Sequence, residues 1–299
     1  MNSMTEIPTD FFCSELTREA DVQLFGTAPR ADIWFMLQYE APFGKKAFEE
    51  SSLTEEVKAH FLKTTSQIAH AKLQLIKQGH GAEPKFLFIA DCLTSTLLKI
   101  PFKDYEELLE FDFPTLLKDG NFVKTYGTHE AMVAVCTNGK RDKCCAKFGL
   151  ELVKDLEPHF KNSVWQTSHI GGHRFAPTFV HLPSGVCYGF ANDNIEKIAE
   201  DISNSKISLP NVRGRSIYSK QDQAAEYFLM EKRGEFGLGC FELLKSEQVE
   251  DGWEISFKNT SGEILKVSLK EEDSGVMGFA SCGDAKMVAT KKFVLKSIS

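Results

Sequence analysis

Two short segments rich in cysteine and histidine constrain this chain more than any other feature of its sequence. The first is CTNGKRDKCC, residues 136–145, and the second is HIGGH, residues 169–173. Thiolate sulfur and imidazole nitrogen are ligands of zinc and of iron–sulfur clusters in proteins. If both segments bind one metal centre, the fold has to bring together two loops whose first ligands lie 33 positions apart (169 − 136).

Composition and charge exclude several classes of protein. The net charge of −7 argues against nucleic acid as the main partner, because nucleic-acid-binding surfaces are basic. No apolar run approaches the roughly 18 residues that would span a membrane. Residues 1–10 lack the basic start and apolar stretch of a signal peptide, so we expect a cytoplasmic protein. In that reducing compartment, clustered thiols are more often metal ligands or redox groups than disulfides.

The first part of the chain alternates between strand and helix patterns. Residues 31–39 predict a buried strand, and the capping box SLTE at 52–55 predicts a helix that continues to about Gln78. Two further strands follow at 85–90 and 95–101. Residues 104–117 are helical in part. The order is strand, helix, strand, strand, helix.

The same kind of pattern then recurs more regularly. Residues 131–136 and 163–168 predict strands on either side of a helix at 144–160. A hairpin over 178–190 and a helix over 192–204 complete the unit. This order is typical of a thioredoxin-like domain, so the two halves read as a tandem of βαβββα units.

The last third of the chain has a different character. Residues 219–244 are mostly helical by pattern, and the rest predicts short antiparallel strands. We therefore predict an α/β protein with a degenerate thioredoxin-like domain at 1–120 and a thioredoxin-like domain with both Cys and His segments at 121–210. A small appendage of helix and antiparallel sheet follows at 211–299.

Each segment should lie at the carboxyl end of a strand in the second domain. Cys136 ends the first strand, and the helix after Cys144 and Cys145 offers backbone N–H groups to a negative charge. The histidine loop follows a parallel strand, so it should emerge at the same edge of the sheet. Gly171 and Gly172 allow the backbone to turn closely around the imidazoles.

The spacing alone leaves the metal open. Zinc fingers use cysteine pairs two to four residues apart, whereas here Cys136 precedes Cys144 by eight positions (144 − 136) and Cys145 by nine (145 − 136). The wide loop suits a cluster better, and zinc is the alternative. The sequence gives less support to a sugar hydrolase, because no spacing singles out the two opposed carboxylates that such an enzyme needs.

The two segments and their surroundings resemble a known family. CTNGKRDKCCAKFG and HIGGHRFAPTFVHLPSGVCYG are similar to the sucrase/ferredoxin-like family of thioredoxin-like [2Fe-2S] proteins. The resemblance extends to residues 11–48 and 214–229, so it covers nearly the whole chain.

The resemblance implies a two-Cys, two-His [2Fe-2S] cluster. Cys136 and Cys145 would bind one iron, and His169 and His173 would bind the other. Cys144 is the alternative to Cys145, which matches the family's position three residues after the aspartate.

Each of three charged residues next to the ligands has two possible roles. Arg141 and Asp142 either form a loop ion pair or steady the cluster through hydrogen bonds, and Arg174 either lies on the surface or faces the cluster edge.

The expected function is one-electron transfer, coupled to proton transfer through the second nitrogen of each histidine. The partner would be a redox protein such as a flavin reductase, or a small reductant. On this interpretation we expect an electron carrier and not an enzyme. No histidine pair lies near Cys13 or Cys92 in the first domain, so we expect one cluster per chain.

Overall fold

Two β-sheets form the framework of the computed structural model, which describes residues 11–78, 84–284 and 286–299. One is a ten-stranded mixed sheet with helices, and the other is a separate four-stranded antiparallel sheet at the C-terminus. The predicted α/β class with a helix-plus-antiparallel-sheet appendage is confirmed. The N-terminal segment 1–10, on which the expectation of a cytoplasmic protein partly rests, lies outside the described residues.

The described residues form seven α-helices and fourteen strands. The helices are α1 (Cys13–Glu19), α2 (Glu55–Gln67), α3 (Phe113–Leu116), α4 (Gly120–Tyr126), α5 (Lys143–Phe160), α6 (Ile195–Ser203) and α7 (Lys220–Arg233). The strands of the large sheet are β1 (Ile33–Gln38), β2 (Ala71–Lys77), β3 (Lys85–Asp91), β4 (Thr96–Phe102), β5 (Gly127–Thr128), β6 (Met132–Cys136), β7 (Val164–Thr167), β8 (Phe179–Leu182), β9 (Val186–Tyr188) and β10 (Val212–Arg215). Those of the small sheet are β11 (Phe241–Val249), β12 (Gly252–Asn259), β13 (Ile264–Gly278) and β14 (Val288–Ile298).

The large sheet contains the same strand pattern twice. In the first half, β1 pairs parallel with β2 and antiparallel with β3, and β3, β4 and β5 continue antiparallel. In the second half, β6 pairs parallel with β7 and antiparallel with β8, and β8, β9 and β10 continue antiparallel. The two copies of this unit are joined edge to edge in one sheet. The strand order is β10-β9-β8-β6-β7-β2-β1-β3-β4-β5.

The two copies join through β2 and β7. These strands pair antiparallel, with Ile76 opposite Thr167. Next to this pair, the Ser168 N–H donates to the Leu75 carbonyl at 2.8 Å, and the Leu75 N–H donates to the Ser168 hydroxyl at 3.1 Å. Since the histidine segment begins one residue later, the first half of the chain supports the start of that loop.

The predicted helix from the capping box to about Gln78 is too long. Thr54 caps α2 by accepting from the Val57 N–H, but the helix ends at Gln67 and a strand follows at Ala71–Lys77. Ile68 has an extended backbone, with φ of −109° and ψ of 121°, which ends the helix, and His70, with φ of 51°, turns the chain into the strand. Pairing with β1 on one side and β7 on the other then satisfies the β2 backbone, an arrangement that local sequence does not reveal.

The predicted helix over 219–244 is also too long. It ends at Arg233, because Gly234 takes a left-handed C-terminal cap with φ of 67°. Residues from Phe241 form β11, which pairs with β12 and so gains a strand partner that is distant from the helix. Residues 212–215, which the sequence assigns to the appendage, pair with β9 in the large sheet.

The largest hydrophobic core connects the two sheets. It contains Trp34 and Phe88 from the first half, Trp165 from the second, and Leu229 of α7 and Phe257 of the C-terminal sheet. All three parts of the chain therefore share one core. No helix of the described residues combines the length and apolarity needed to cross a bilayer.

We predict that residues 121–299 expressed alone do not fold cooperatively. Removal of the first half exposes the edge of β7 and takes Phe88 away from Trp165, whose ring centroids lie 5.3 Å apart. Urea unfolding followed by tryptophan fluorescence should show a broad transition, against a single steep one for the full chain. A steep transition in the fragment would show that the second half is independent.

Candidate metal centre

The cysteine loop is held at both of its ends. Cys136 is the last residue of β6, and its N–H donates to the Thr178 carbonyl at 3.0 Å. The buried Asn138 side chain accepts from the Arg141 N–H at 3.2 Å and donates to the Gly44 carbonyl at 3.1 Å. A Cβ on Gly149 would lie 2.2 Å from the Cys136 carbonyl oxygen, so this glycine lets α5 pack directly on the strand end. The loop therefore holds Cys136 close to the start of α5.

Asp142 starts α5 and determines where the next two cysteines point. Its carboxylate accepts from the Cys144 N–H at 2.9 Å, the usual bond of an N-capping residue. Successive residues of a helix project about 100° apart. Cys145 accordingly faces Cys136, whereas Cys144 faces Cys13 and Cys282 on another side of the helix end.

The histidine loop brings both imidazoles to the cysteines. Gly171 and Gly172 have φ of 91° and 79°, so both predicted turn glycines are left-handed. His169 Nδ1 lies 3.6 Å from Cys136 Sγ and 3.8 Å from Cys145 Sγ. His173 Nδ1 lies 3.2 Å from His169 Nε2. The structure thus brings the four residues proposed as ligands to one place.

Burial differs between the two sides of this centre. Cys136 and Cys145 are each 1% exposed, whereas His169 and His173 are half-buried. A group bound here would be covered on its thiol side and would approach the surface through the imidazoles.

The local electrostatics favour metal-binding protonation states. Hydrogen bonding from the Cys145 thiol, together with His169, lowers the pKa of Cys136 well below its ordinary value. The same bond raises the pKa of Cys145, so the first proton is lost from Cys136. Burial lowers the pKa of His173, Asp142 partly opposes this, and His169 adds to it. The lowered pKa values of Cys136 and His173 both favour the deprotonated forms that bind a cation.

One buried nitrogen of this centre has no hydrogen bond of good geometry. His173 Nε2 is inaccessible to solvent, and the nearest carboxylate oxygen, of Asp142, is 3.7 Å away. The Ala280 carbonyl also faces the ring. A buried polar atom without a partner costs free energy. The donor set of two thiols and two imidazoles fits a bound metal group, and no hydrogen bond of good geometry occupies His173 Nε2.

Arg213, in β10, is a site residue that the sequence analysis did not identify. Its guanidinium is fully buried beneath the histidine loop and donates to the Gly171 carbonyl at 2.9 Å and to the Thr27 hydroxyl at 3.1 Å. A Cβ on Gly172 would lie 2.3 Å from this guanidinium. Among the described residues, no carboxylate pairs with Arg213, and burial lowers its pKa while Cys187, Cys136 and Cys145 raise it. Its positive charge therefore lies beneath the histidine loop, and in the sequence only its place in a short buried strand could have indicated this.

The neighbouring charged residues separate into different roles. The Asp142 carboxylate accepts from backbone and hydroxyl groups, and Arg141 is exposed, so among the described residues these two form no ion pair. Arg174 is half-buried against the Phe175 ring, and burial lowers its pKa, with Cys13 as the opposing neighbour. Asp142 thus lies next to His173 of this centre, whereas Arg174 lies near Cys13.

Cys144 belongs to a different group of side chains from Cys145. Its sulfur lies 3.6 Å from Cys13 Sγ and 3.2 Å from Cys282 Sγ, and the Ser14 hydroxyl donates to it at 3.3 Å. Hydrogen bonds from the Cys13 and Cys282 thiols lower the pKa of Cys144 to about 4. Cys13 and Cys282 are 131 and 138 positions from Cys144, so no local spacing could have indicated this group.

We predict that Arg213→Met lowers the free energy of unfolding of the metal-free protein by about 2–4 kcal/mol. The half-buried carbonyls of Gly171 and Thr27 would lose their donor, and such groups fall in the lower part of the roughly 1–3 kcal/mol that an unpaired buried polar group costs. Urea unfolding measures this effect, with Arg18→Met, at an exposed ion pair, as the control. Equal stability of wild type and Arg213→Met would show that Arg213 does not hold the loop.

Comparison with known proteins places the geometry in context. The family model of the sucrase/ferredoxin-like proteins matches residues 24–214, more than half of the chain, and includes both loops of the centre. The comparison with curated proteins and the comparison with solved structures gave no significant match. On the extent of the family match, this chain belongs to the sucrase/ferredoxin-like family.

Proposed function

We propose that this protein is a one-electron carrier that binds a [2Fe-2S] cluster through Cys136, Cys145, His169 and His173. The observation that carries the proposal is the convergence of two buried thiols and two half-buried imidazoles from separate loops. Membership in the sucrase/ferredoxin-like family supports it. When bound, such a cluster accepts and releases single electrons at a potential set by its ligands and surroundings.

The arrangement of the donor atoms favours a two-metal group over one zinc ion. The atoms of Cys136, Cys145 and His169 lie within 4.8 Å of one another, as a single ion requires. His173 is not in that set, because its Nδ1 faces His169 from the far side. A closed zinc site needs four atoms about 2.0–2.3 Å from one ion. A cluster with two irons can span the wider set.

The surroundings suit a centre that exchanges electrons with a partner. Arg213 and the N-terminus of α5 place positive potential beside the thiols, which stabilises an anionic cluster. The half-buried imidazoles form the accessible side, so a redox protein or a small reductant would approach there. The free thiols of all eight cysteines agree with a cytoplasmic location, which is part of this proposal.

A sugar hydrolase has less support from the clefts. Two clefts that meet β7 contain Glu157 and Glu130 respectively as their single carboxylate among the described residues, and a cleft beside α1 contains Glu15 and Glu19, which lie four residues apart on one helix and so do not face each other. A glycosidase needs two opposed carboxylates in one cleft.

The test of the cluster is iron and acid-labile sulfide per chain after anaerobic purification. Cys136→Ser and Cys145→Ser should each lose most of both, together with the visible absorption, because each removes a thiolate ligand. Cys144→Ser should keep them, since its sulfur faces away from this centre. Cys240→Ser, outside both cysteine groups, is the control. Wild-type protein without iron or sulfide, whose zinc content falls in Cys136→Ser, would replace the proposal with the zinc alternative.

The test of histidine ligation is the midpoint potential of His173→Cys. A thiolate in place of an imidazole makes the cluster more negative, so we expect iron to stay bound and the potential to fall by roughly one to several hundred millivolts. Potentiometry measures this, with His129→Cys, outside the centre, as the matched control. An unchanged potential in His173→Cys would contradict ligation by His173.

A further inference from the structure

A second group of metal-ligating side chains lies on the other side of the α5 N-terminus. Its members are Cys13 at the start of α1, Asp142 and Cys144 at the start of α5, and Cys282 in the segment between β13 and β14. One ligand atom from each lies within 4.8 Å of one atom from every other. The group is separate from the centre described above, because its sulfurs face the opposite side of the helix end.

The spacing of these atoms is close to that of a tetrahedral site. Sulfurs bound to one zinc ion at about 2.3 Å lie about 3.8 Å apart. Cys144 Sγ is 3.6 Å from Cys13 Sγ and 3.2 Å from Cys282 Sγ. Cys13 Sγ is 3.9 Å from Asp142 Oδ2. Shifts of about half an ångström would let all four atoms share one ion.

We propose that Cys13, Asp142, Cys144 and Cys282 bind a Zn²⁺ ion in a closed structural site. Three thiolates and one carboxylate match the soft, tetrahedral preference of zinc and leave no open position for substrate. The Cys13 and Cys144 side chains are fully buried, and the Asp142 side chain is inaccessible to solvent. This site shares no ligand with the cluster, so the occupancy of each is measured separately.

The surroundings balance the charge of such a site. Four anionic ligands and Zn²⁺ leave a formal charge of −2 (2 − 4), which needs positive potential nearby. The α5 N-terminus supplies part of it. Lys143 and Lys147 lie over the Phe12 ring at 4.8 and 3.9 Å, and Arg174 faces Cys13. An apolar shell of Ala176, Phe279 and nearby phenylalanines covers the group.

A metal explains this group better than a disulfide. All three cysteines are free, and the shortest distance between their sulfurs is well above the 2.05 Å or so of an S–S bond. A disulfide between any two would leave the third thiol beside it without a partner sulfur. A metal ion uses all three together with the carboxylate.

The site would join parts of the chain that are far apart in sequence. Cys13 and Cys282 lie outside the family match at 24–214, whereas Asp142 and Cys144 lie inside it. An ion that binds only the folded chain stabilises it. The zinc would therefore fasten the N-terminal helix and the C-terminal sheet to the start of α5.

The test is zinc, iron and sulfide per chain in purified full-length variants. We expect about one zinc per chain in wild type, and near zero in Cys13→Ser and in Cys282→Ser, with iron and sulfide retained. Cys136→Ser should show the reverse pattern, with zinc kept and iron lost. Cys240→Ser, half-buried like Cys282, is the matched control and should keep all three.

A second measurement covers variants that fold poorly. Metal-free Cys136→Ser protein is titrated with Co²⁺, whose thiolate-to-cobalt absorption reports tetrahedral sulfur ligation. We expect this absorption in Cys136→Ser and its loss when Cys282→Ser is added. A chelator should lower the melting temperature of wild type and leave that of Cys282→Ser unchanged. Reduced wild type that takes up neither Zn²⁺ nor Co²⁺, or a mapped disulfide among the three cysteines, would overturn the site. These outcomes leave the cluster proposal untouched, because its readout is iron and sulfide.

Discussion

The buried carboxylate of Asp142 is the interaction on which both cysteine groups depend. It accepts hydrogen bonds from the N–H groups of Cys144 and Cys282 and from the hydroxyl of Ser281. The Asp142 side chain has no contact with solvent. These bonds fix the first turn of α5 and attach the C-terminal segment to it. The same carboxylate lies 3.7 Å from His173 Nε2. One residue therefore sets the positions of side chains in both groups.

The start of α5 separates two environments. Because adjacent helical residues project in different directions, Cys144 and Cys145 serve different groups although they are neighbours in the chain. Cys145 faces the loops after β6 and β7, which belong to one repeat of the sheet. Cys144 faces segments near the two ends of the described chain. The positive end of the helix dipole favours thiolates on both sides.

The first half of the chain supports the centre of Cys136, Cys145, His169 and His173, although it contributes none of these four residues. The reason is that the two repeated units form one continuous sheet. β2 and β7 join the halves, and Ser168 and Leu75 exchange hydrogen bonds at the base of the histidine loop. The Arg213 guanidinium donates hydrogen bonds to the Thr27 hydroxyl and to the Gly171 carbonyl, and so connects these two residues. The loop is thus held from below by residues of both halves and of β10.

Sequence alone determined the elements and residues that depend on local chemistry. The buried strand before Cys136, the helix after it, and the turn through Gly171 and Gly172 all follow from short-range patterns, because propensity and backbone sterics act over a few residues. The spacing of the thiols and imidazoles also identified the candidate ligands. The family resemblance, stated from these segments, is shown by the family match.

Tertiary structure decided what depends on partners distant in sequence. The strand nature of Ala71–Lys77 comes from β1 and β7 on its two sides, which outweighed a helical pattern. Arg213 is a site residue only because β10 passes beneath the histidine loop. Cys13 and Cys282 meet Cys144 from more than a hundred residues away, and no local rule reaches that far. Contacts of this kind arise when the chain buries its core, so the sequence can supply the groups but only the packed fold brings them together.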